Sequence, residues 1–379
     1  MFKRTDLSVA DTSLLIHSDD GLNNFDALRL VMALLVVWSH CFALGLPAGE
    51  SVEPISLMTN GHYNAGNIAV MVFFAISGFL ISKSYLNSRD TLSFLIKRIR
   101  RIYPGYIVAT TIGAFVIIPL FSTVYKVSAF EVAKTIGLNL LLRGYAPPSI
   151  VFPSNYSQTL NGSLWSIPYE FWCYIGIAAL GIFALLTKPR LIASIVILAV
   201  LGRAALDLFD KKPGFGLIGD VFGWPYQWLL VLPCFLIGTV FFLLRRQLPR
   251  SKGLLILLLC CLMAACYAPL GPKWQKILAE AAFPVAMAYC VFYFAFSSSV
   301  KIRNVAAKGD LSYGTYLYAF PIQQMLLSSH KLPFPIFMIL SVVLSVGAGF
   351  FSWHIVEKWF LRRKPTLTAS ELIDNKRSE

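Results

Sequence analysis

Apolar runs of roughly 17–25 residues, the length of a membrane-crossing helix, recur along the chain almost to its end. Gly, Pro, Lys and Arg punctuate them. Read by hydropathy and breakers, the pattern predicts about ten helical spans near residues 28–46, 67–86, 103–122, 168–187, 190–207, 226–244, 253–269, 277–297, 310–329 and 336–361. A β-barrel would need alternating segments of about ten residues, and none occur. The expected fold is an all-α polytopic membrane protein, with about ten transmembrane helices around a central polar cavity. Residues 1–24 and 362–379 form cytoplasmic tails around a transmembrane domain at 25–361.

Composition agrees. Of 379 residues, 57% are hydrophobic and 14% charged, with a mean hydropathy of +0.66, whereas soluble domains are about half apolar and a quarter charged. A net charge of +14 raises the possibility of nucleic acid. The distribution excludes it, because the cations gather in short connections between apolar runs. Lys83, Arg89, Lys97, Arg98, Arg100 and Arg101 precede the third span, and Lys188 and Arg190 lie between the fourth and fifth. Arg245, Arg246, Arg250 and Lys252 follow the sixth, then Lys301, Arg303 and Lys308, then Arg362, Arg363 and Lys364. With ten spans all of these fall on one side together with both termini, and the positive-inside rule makes that side cytoplasmic. The seven cysteines show no metal-ligand spacing and read as small hydrophobes. Four aspartates before the first run argue against a cleavable signal peptide.

Two long segments, 47–66 and 123–167, and a shorter one, 208–225, fall on the opposite side. The helical stretch EVAKTIGLNLLLRG within 123–167 is either re-entrant or interfacial.

Four stretches carry candidate chemistry. In RLVMALLVVWSH, His40 lies eleven positions after Arg29. On a helix that leaves them about 20° apart in azimuth and about 16 Å apart along the axis. One reading has Arg29 snorkelling to lipid phosphate and His40 bonding a neighbouring helix. The other follows from the cost of ionisable groups at membrane depth and from the neutral-range pKa of His: the pair lines a reaction path. In FLIKRIRRIYP, Arg98 and Arg101 share a face, with Pro104 opening the next span. Anionic lipid headgroups are one partner, and a phosphate clamp of paired guanidinium forks is the other reading. In NGSLWSIPYEFWCY, Pro168 suits a first helical turn and places Glu170 there, at a depth like that of His40. Glu170 is either an inert cap favoured by the helix dipole or the carboxylate that orients a general-base imidazole. Trp165, Trp172 and Trp224 suit an interfacial belt or a stacking face for a sugar. Near the end, Tyr313, Tyr316, Gln323 and Gln324 share one span, and His354 and Glu357, at i and i+3, read as a structural pair. There is no P-loop, HExxH, haem or zinc spacing.

In this order the stretches resemble the acyltransferase-3 family of membrane acyltransferases. Arg29-x10-His40 matches its first-span signature, FFAISGFLIS (73–82) its second span, and Arg98-x-x-Arg101 before IYP its RxxR motif. SLWSIPYEFW (163–172), LSYGTYLYAFPIQQ (311–324) and SWHIVEK (352–358) resemble its later blocks. Some members have His where this chain has Ala319, and no soluble esterase-like domain follows Lys364. The resemblance implies transfer of an acyl group, most often acetyl from acetyl-CoA, to a sugar hydroxyl of a surface or exported glycan. His40 would be catalytic, Arg29 its motif partner, and Arg98 and Arg101 donor-site residues.

The expected protein is thus a membrane O-acyltransferase of the cell inner membrane. His40 and Glu170 are its catalytic candidates, and Arg29, Arg98, Arg101, Trp165 and Tyr313 its substrate-binding candidates. It uses acyl-CoA as co-substrate, a carbohydrate or lipid-linked glycan as acceptor, membrane lipids as surroundings, and no metal or resident cofactor. The rival reading is a secondary transporter or glycan flippase with an intramembrane His/Arg site, which inverted repeats or paired broken helices would favour. The sequence shows neither.

Overall fold

The computed structural model describes residues 23–47, 53–122, 128–143, 151–214, 216–297, 309–329 and 332–361, so most of each expected tail lies outside it. Among the described residues the chain is helical and holds no strand. The order is α1 (Phe25–Gly45), α2 (Pro54–Met58), α3 (Ala65–Leu86) and α4 (Thr91–Ile112), which continues through a π turn (Gly113–Ile117) into α5 (Ile118–Phe121). There follow α6 (Ala129–Leu140), a 3-10 turn (Gly162–Trp165) leading into α7 (Ser166–Ile182), α8 (Pro189–Leu208), α9 (Leu217–Phe222) and α10 (Pro225–Leu243). The last are α11 (Lys252–Cys266), α12 (Pro272–Ala295), α13 (Ser312–Ser329) and α14 (Phe334–Phe351), the last joined through a second π turn (Ser352–Glu357) to α15 (Lys358–Leu361).

Among the described residues seven helices are long and apolar enough to cross a membrane: α1, α3, α4 with α5, α8, α10, α12, and α14 with α15. Three more expected spans coincide with α7, α11 and α13. The first two have only 17 and 15 residues, and α13 carries Ser, Thr, Tyr and Gln along its length. Prolines open α2, α8, α10, α12 and α14, where the missing N–H would have no helical partner. One boundary moves far. The third span was expected from residue 103, yet α4 starts at Thr91 because the Asp90 carboxylate accepts from the Ser93 amide (2.7 Å) and hydroxyl (2.8 Å). Arg98 and Arg101 therefore lie inside the helix, and Pro104 sits in its interior.

Small residues set the closest crossings. A Cβ on Gly78 of α3 would overlap the Phe235 carbonyl of α10, and one on Gly238 would overlap that of Ala75. Helices in lipid gain no hydrophobic drive towards one another, so this backbone approach supplies the packing. α1 and α3 run antiparallel, with Phe25 against Phe79 (ring centroids 5.3 Å apart) at one end and Ser39 beside Gly66 at the other. α13 runs parallel to α1, pairing Asp310 with Arg29 and Gln323 with the Val37 carbonyl. This register fixes the depth of every site residue.

Of the chain between α5 and α7, the described parts are α6 and residues 151–165, and α6 reaches back along the flank of the bundle. Tyr103 donates to the Leu140 carbonyl (2.9 Å) at the far end of α6. Tyr103 is eighteen residues before Phe121, about 27 Å along the helix, so α6 is re-entrant rather than interfacial. After the undescribed residues 144–150, Gln324 holds the returning strand of chain by donating to the Ser157 (2.7 Å) and Thr159 (2.6 Å) carbonyls, while Asn155 donates to Gln324 (2.9 Å).

Candidate active site

At the basic end of the bundle a chain of charges ties four elements together. Asp310, in the connection before α13, accepts through one oxygen from Arg29 Nη1 (2.6 Å) and Arg101 Nη2 (2.5 Å). Its other oxygen accepts from the Ser312 hydroxyl and amide. Burial alone would raise the Asp310 carboxyl, but the Arg101 and Arg29 guanidinium groups outweigh it and hold the acid well below the usual carboxylate range. Arg101 also donates to Glu357 (3.3 Å), whose second oxygen accepts from Ser352 (2.8 Å). The π turn at Ser352–Glu357 inserts the extra residue that aims Glu357 inward. The expected pairing of His354 with Glu357 is not formed, because the same turn parts them: His354 Nδ1 bonds the Phe350 carbonyl (2.9 Å) and its ring lies on Phe350. Asp310 was not singled out in the sequence; its signal was an acid directly before a polar span.

Arg98 and Arg101 share a helix but not a role. Arg101 is consumed by two carboxylates, and its guanidinium lies 5.4 Å from the centre of the Tyr313 ring. Tyr313 in turn donates to the Ile102 carbonyl (2.8 Å). Arg98 makes one long hydrogen bond, to Ser84 Oγ (3.4 Å), its guanidinium lies 5.7 Å and 6.0 Å from the Phe94 and Tyr174 ring centres, and its buried Nε has no partner. Of the expected clamp, Arg98 is the member with bonding capacity to spare.

Two cavities meet at Arg29 and Glu170. The one at the basic end spans about 1000 Å³ including space open to solvent, and is lined by Lys97, Arg98, Arg100, Arg101, Ser77 and Tyr174 besides the shared pair. The deeper one spans about 480 Å³ on the same measure, with Val70, Phe73, Ser166, Tyr313 and Tyr316 on its walls. Along α3 their linings run from Ile81 to Val70, eleven residues or about 16 Å.

Glu170 stands at the junction. Its Oε1 accepts from Ser77 Oγ (2.7 Å) and Tyr174 OH (2.6 Å), and Oε2 has no protein partner among the described residues. Ser77 lies two residues from Phe79, the ring paired with Phe25, so Glu170 is level with Arg29. His40 adjoins Ser39, which meets Gly66, eleven residues or about 16 Å along α3 from Ser77. The expected similar depth of Glu170 and His40 is therefore corrected, and no hydrogen bond joins them. The physical reason is that α7 starts inside the bundle after the re-entrant segment, one turn before Glu170, rather than at the membrane surface.

His40 lies beyond the deeper cavity. Its ring meets Phe320 edge-on (5.2 Å), and its buried Nδ1 has no partner. Phe320 is one turn beyond Tyr316, whose hydroxyl bonds Ser166 Oγ (2.7 Å) and the Ser163 carbonyl (2.5 Å). Trp165 packs on Tyr169 (5.7 Å) and is 38% exposed, outside both cavities. The structure thus gathers Arg29, Arg98, Arg101, Glu170 and Tyr313, and sets His40 and Trp165 apart from them. Among the described residues no cluster of His, Cys, Asp or Glu suits a metal ion.

These features define a polytopic α-helical membrane protein with a polar, basic-ended cavity inside its helices. Comparison supplies the family: the sequence model of an acyltransferase domain matches residues 22–354, and the chain belongs to the acyltransferase-3 family. It is a multi-pass membrane acyltransferase. It is 32% identical to an O-acetyl transferase of Shigella phage Sf6, over 90% of this chain and 96% of that protein. It is 26% identical to nodulation protein 10 of Rhizobium leguminosarum bv. viciae, over 94% and 98%. A putative peptidoglycan O-acetyltransferase of Bacillus subtilis (strain 168), YrhL, is 24% identical over 84% of this chain and 55% of that protein. No solved structure matches the chain.

Proposed function

We propose that the protein transfers an acetyl group from cytosolic acetyl-CoA to a hydroxyl of a surface or exported carbohydrate, across the inner membrane, with both termini cytoplasmic. The observation that carries this reading is the pair of cavities joined at Arg29 and Glu170. They lead from a mouth with Lys97, Arg98 and Arg100 to within one helical turn of the ring that His40 packs against. The donor's phosphates meet the cations, Arg98 first among them, and its pantetheine arm follows the α3 wall.

His40 acts as general base. An imidazole nitrogen takes the proton from the acceptor hydroxyl as its oxygen attacks the thioester carbonyl. The carbon–sulfur bond then breaks, and the departing CoA thiolate takes up that proton. One positioned base supplies typically about 10²–10⁴-fold. Arg29 acts through position, since its salt bridge to Asp310 ties α1 to α13 at the donor's entrance. The relatives named as O-acetyl transferases support an acetyl group and a carbohydrate acceptor. The test is transfer of label from acetyl-CoA by the purified protein, with mass spectrometry of surface glycans from cells with and without it. No labelled product and no missing acetyl mass on any glycan would remove the reading.

A further inference from the structure

Glu170, freed from His40 by the register, has one carboxylate oxygen saturated and one open. Oε1 takes two donors, Ser77 and Tyr174, while Oε2 has no protein donor among the described residues, on a side chain that lines both cavities. One turn along the same helix face, towards His40, is Ser166. Its hydroxyl bonds Tyr316, whose own proton serves the Ser163 carbonyl, so Ser166 Oγ donates to Tyr316 and keeps acceptor capacity. Two acceptors therefore stand about 6 Å apart on one wall. One further turn along α13 from Tyr316 is Phe320, which touches His40.

We infer that this ladder reads the pantetheine arm of the donor: Glu170 Oε2 accepts the N–H of the pantoyl–β-alanine amide, and Ser166 Oγ accepts the N–H of the β-alanine–cysteamine amide. The inference rests on acyl-CoA as donor. The two amide nitrogens are four bonds apart, roughly 5 Å when extended, and the thioester carbon is roughly another 5 Å on. Starting at Glu170, that carries the thioester about 10 Å along the ladder, close to the level of Phe320 and part of the way to His40. Towards the mouth, Ser84, the contact of Arg98, lies seven residues or about 10 Å along α3 from Ser77. A pyrophosphate there is within reach of the same extended arm. Side-chain tilt helps, since side chains lean towards the helix N-terminus. α7 and α1 run in opposite directions, so Glu170 leans towards His40 and His40 towards the cavity. Glu170 is then a substrate-binding residue, set by Ser77 and Tyr174.

The test uses full-length protein with two donors, acetyl-CoA and an analogue whose pantoyl–β-alanine amide is an ester, together with wild type and Glu170→Gln. In Glu170→Gln the amide oxygen must take the place of Oε1, where two hydroxyls donate, so the NH2 replaces Oε2 and opposes the donor's N–H. The expected wild-type result is a KM for the ester about tenfold to a hundredfold above that for acetyl-CoA, the range for a hydrogen bond to a charged group, with kcat changed far less. Glu170→Gln raises the KM for acetyl-CoA comparably and loses the preference for the amide. Equal KM values for the two donors in wild type overturn the inference without any variant, so a misfolded Glu170→Gln does not shelter it. A variant that loses kcat alone and keeps the amide preference overturns it too, and assigns Glu170 to proton transfer. Wild-type protein that takes no acetyl from acetyl-CoA overturns the donor reading itself, and this inference with it.

Discussion

Glu170 is level with Arg29 and not with His40, although its position near the start of α7 suggests the opposite face of the membrane. The two share both cavity walls, and the Ser77 hydroxyl fixes the register. Under the proposed function the donor passes Glu170 before it reaches His40, in place of a dyad in which one orients the other. His40 then depends on its substrate, and not on a carboxylate, for a partner at Nδ1.

Arg98→Ala is expected to raise the donor KM by about tenfold, the loss of one charge-assisted contact to phosphate. The effect shrinks as ionic strength rises, since salt screens the partly exposed mouth. Thermal unfolding in detergent stays closer to wild type than for Arg101→Ala, because Arg98 has no carboxylate partner and only one long hydrogen bond, besides distant ring contacts to Phe94 and Tyr174. Kinetics at low and high salt check the first point; a KM that is unchanged at both returns Arg98 to the lipid headgroups.

Arg101→Ala is expected to behave differently. It leaves Glu357, 1% exposed, without its cation, and removes one of the two cations on Asp310. Breaking a buried pair from one side costs about 3–5 kcal/mol. The melting temperature should fall by several degrees, and Arg101→Ala with Glu357→Gln should recover part of it. Equal melting temperatures for Arg98→Ala and Arg101→Ala would contradict the division of roles.

The α3–α10 crossing leaves no room for a side chain. Gly238→Ala puts its Cβ into the Ala75 carbonyl, backbone that cannot step aside, and overpacking costs at least about 1–3 kcal/mol. Gly176→Ala, with open space around its Cβ, is the control. Comparable yields and melting temperatures for both variants would refute the close crossing.

Gln324→Leu should loosen the returning segment, because the Ser157 and Thr159 carbonyls lose their donor at about 1–3 kcal/mol each. Limited proteolysis is expected to cut between 151 and 165 faster than in wild type, with Ser166 and the donor site perturbed behind it. An unchanged cleavage rate would show that the loop is held by other contacts.

The starts of helices were legible where a proline marks them, as at Pro189 and Pro225, although α12 opens at Pro272, five residues before its expected start. The Asp90 cap was equally visible, but the charge run after it read as a connection, because cations beside a span usually are one. Arg29 at the inner approach followed from spacing along a single helix, which needs no tertiary information. The partners of Arg101 did not, since Asp310 and Glu357 come from two distant segments and one needs a π turn to point inward. Glu170 was found by residue type and misplaced in depth. Helical periodicity gives azimuth, while depth depends on where the preceding chain leaves the helix start, and here it dips into the bundle first.

Under the proposed function acetyl-CoA approaches from the cytoplasm and His40 is the base. Sealed membrane vesicles of both orientations, carrying wild-type or His40→Ala protein and supplied with labelled acetyl-CoA from outside only, test it most directly. Labelled carbohydrate is expected from inside-out vesicles alone, with a rate at least about a hundredfold lower for His40→Ala at equal protein level. Label appearing equally in right-side-out vesicles, or His40→Ala retaining more than about a tenth of the wild-type rate, would contradict it.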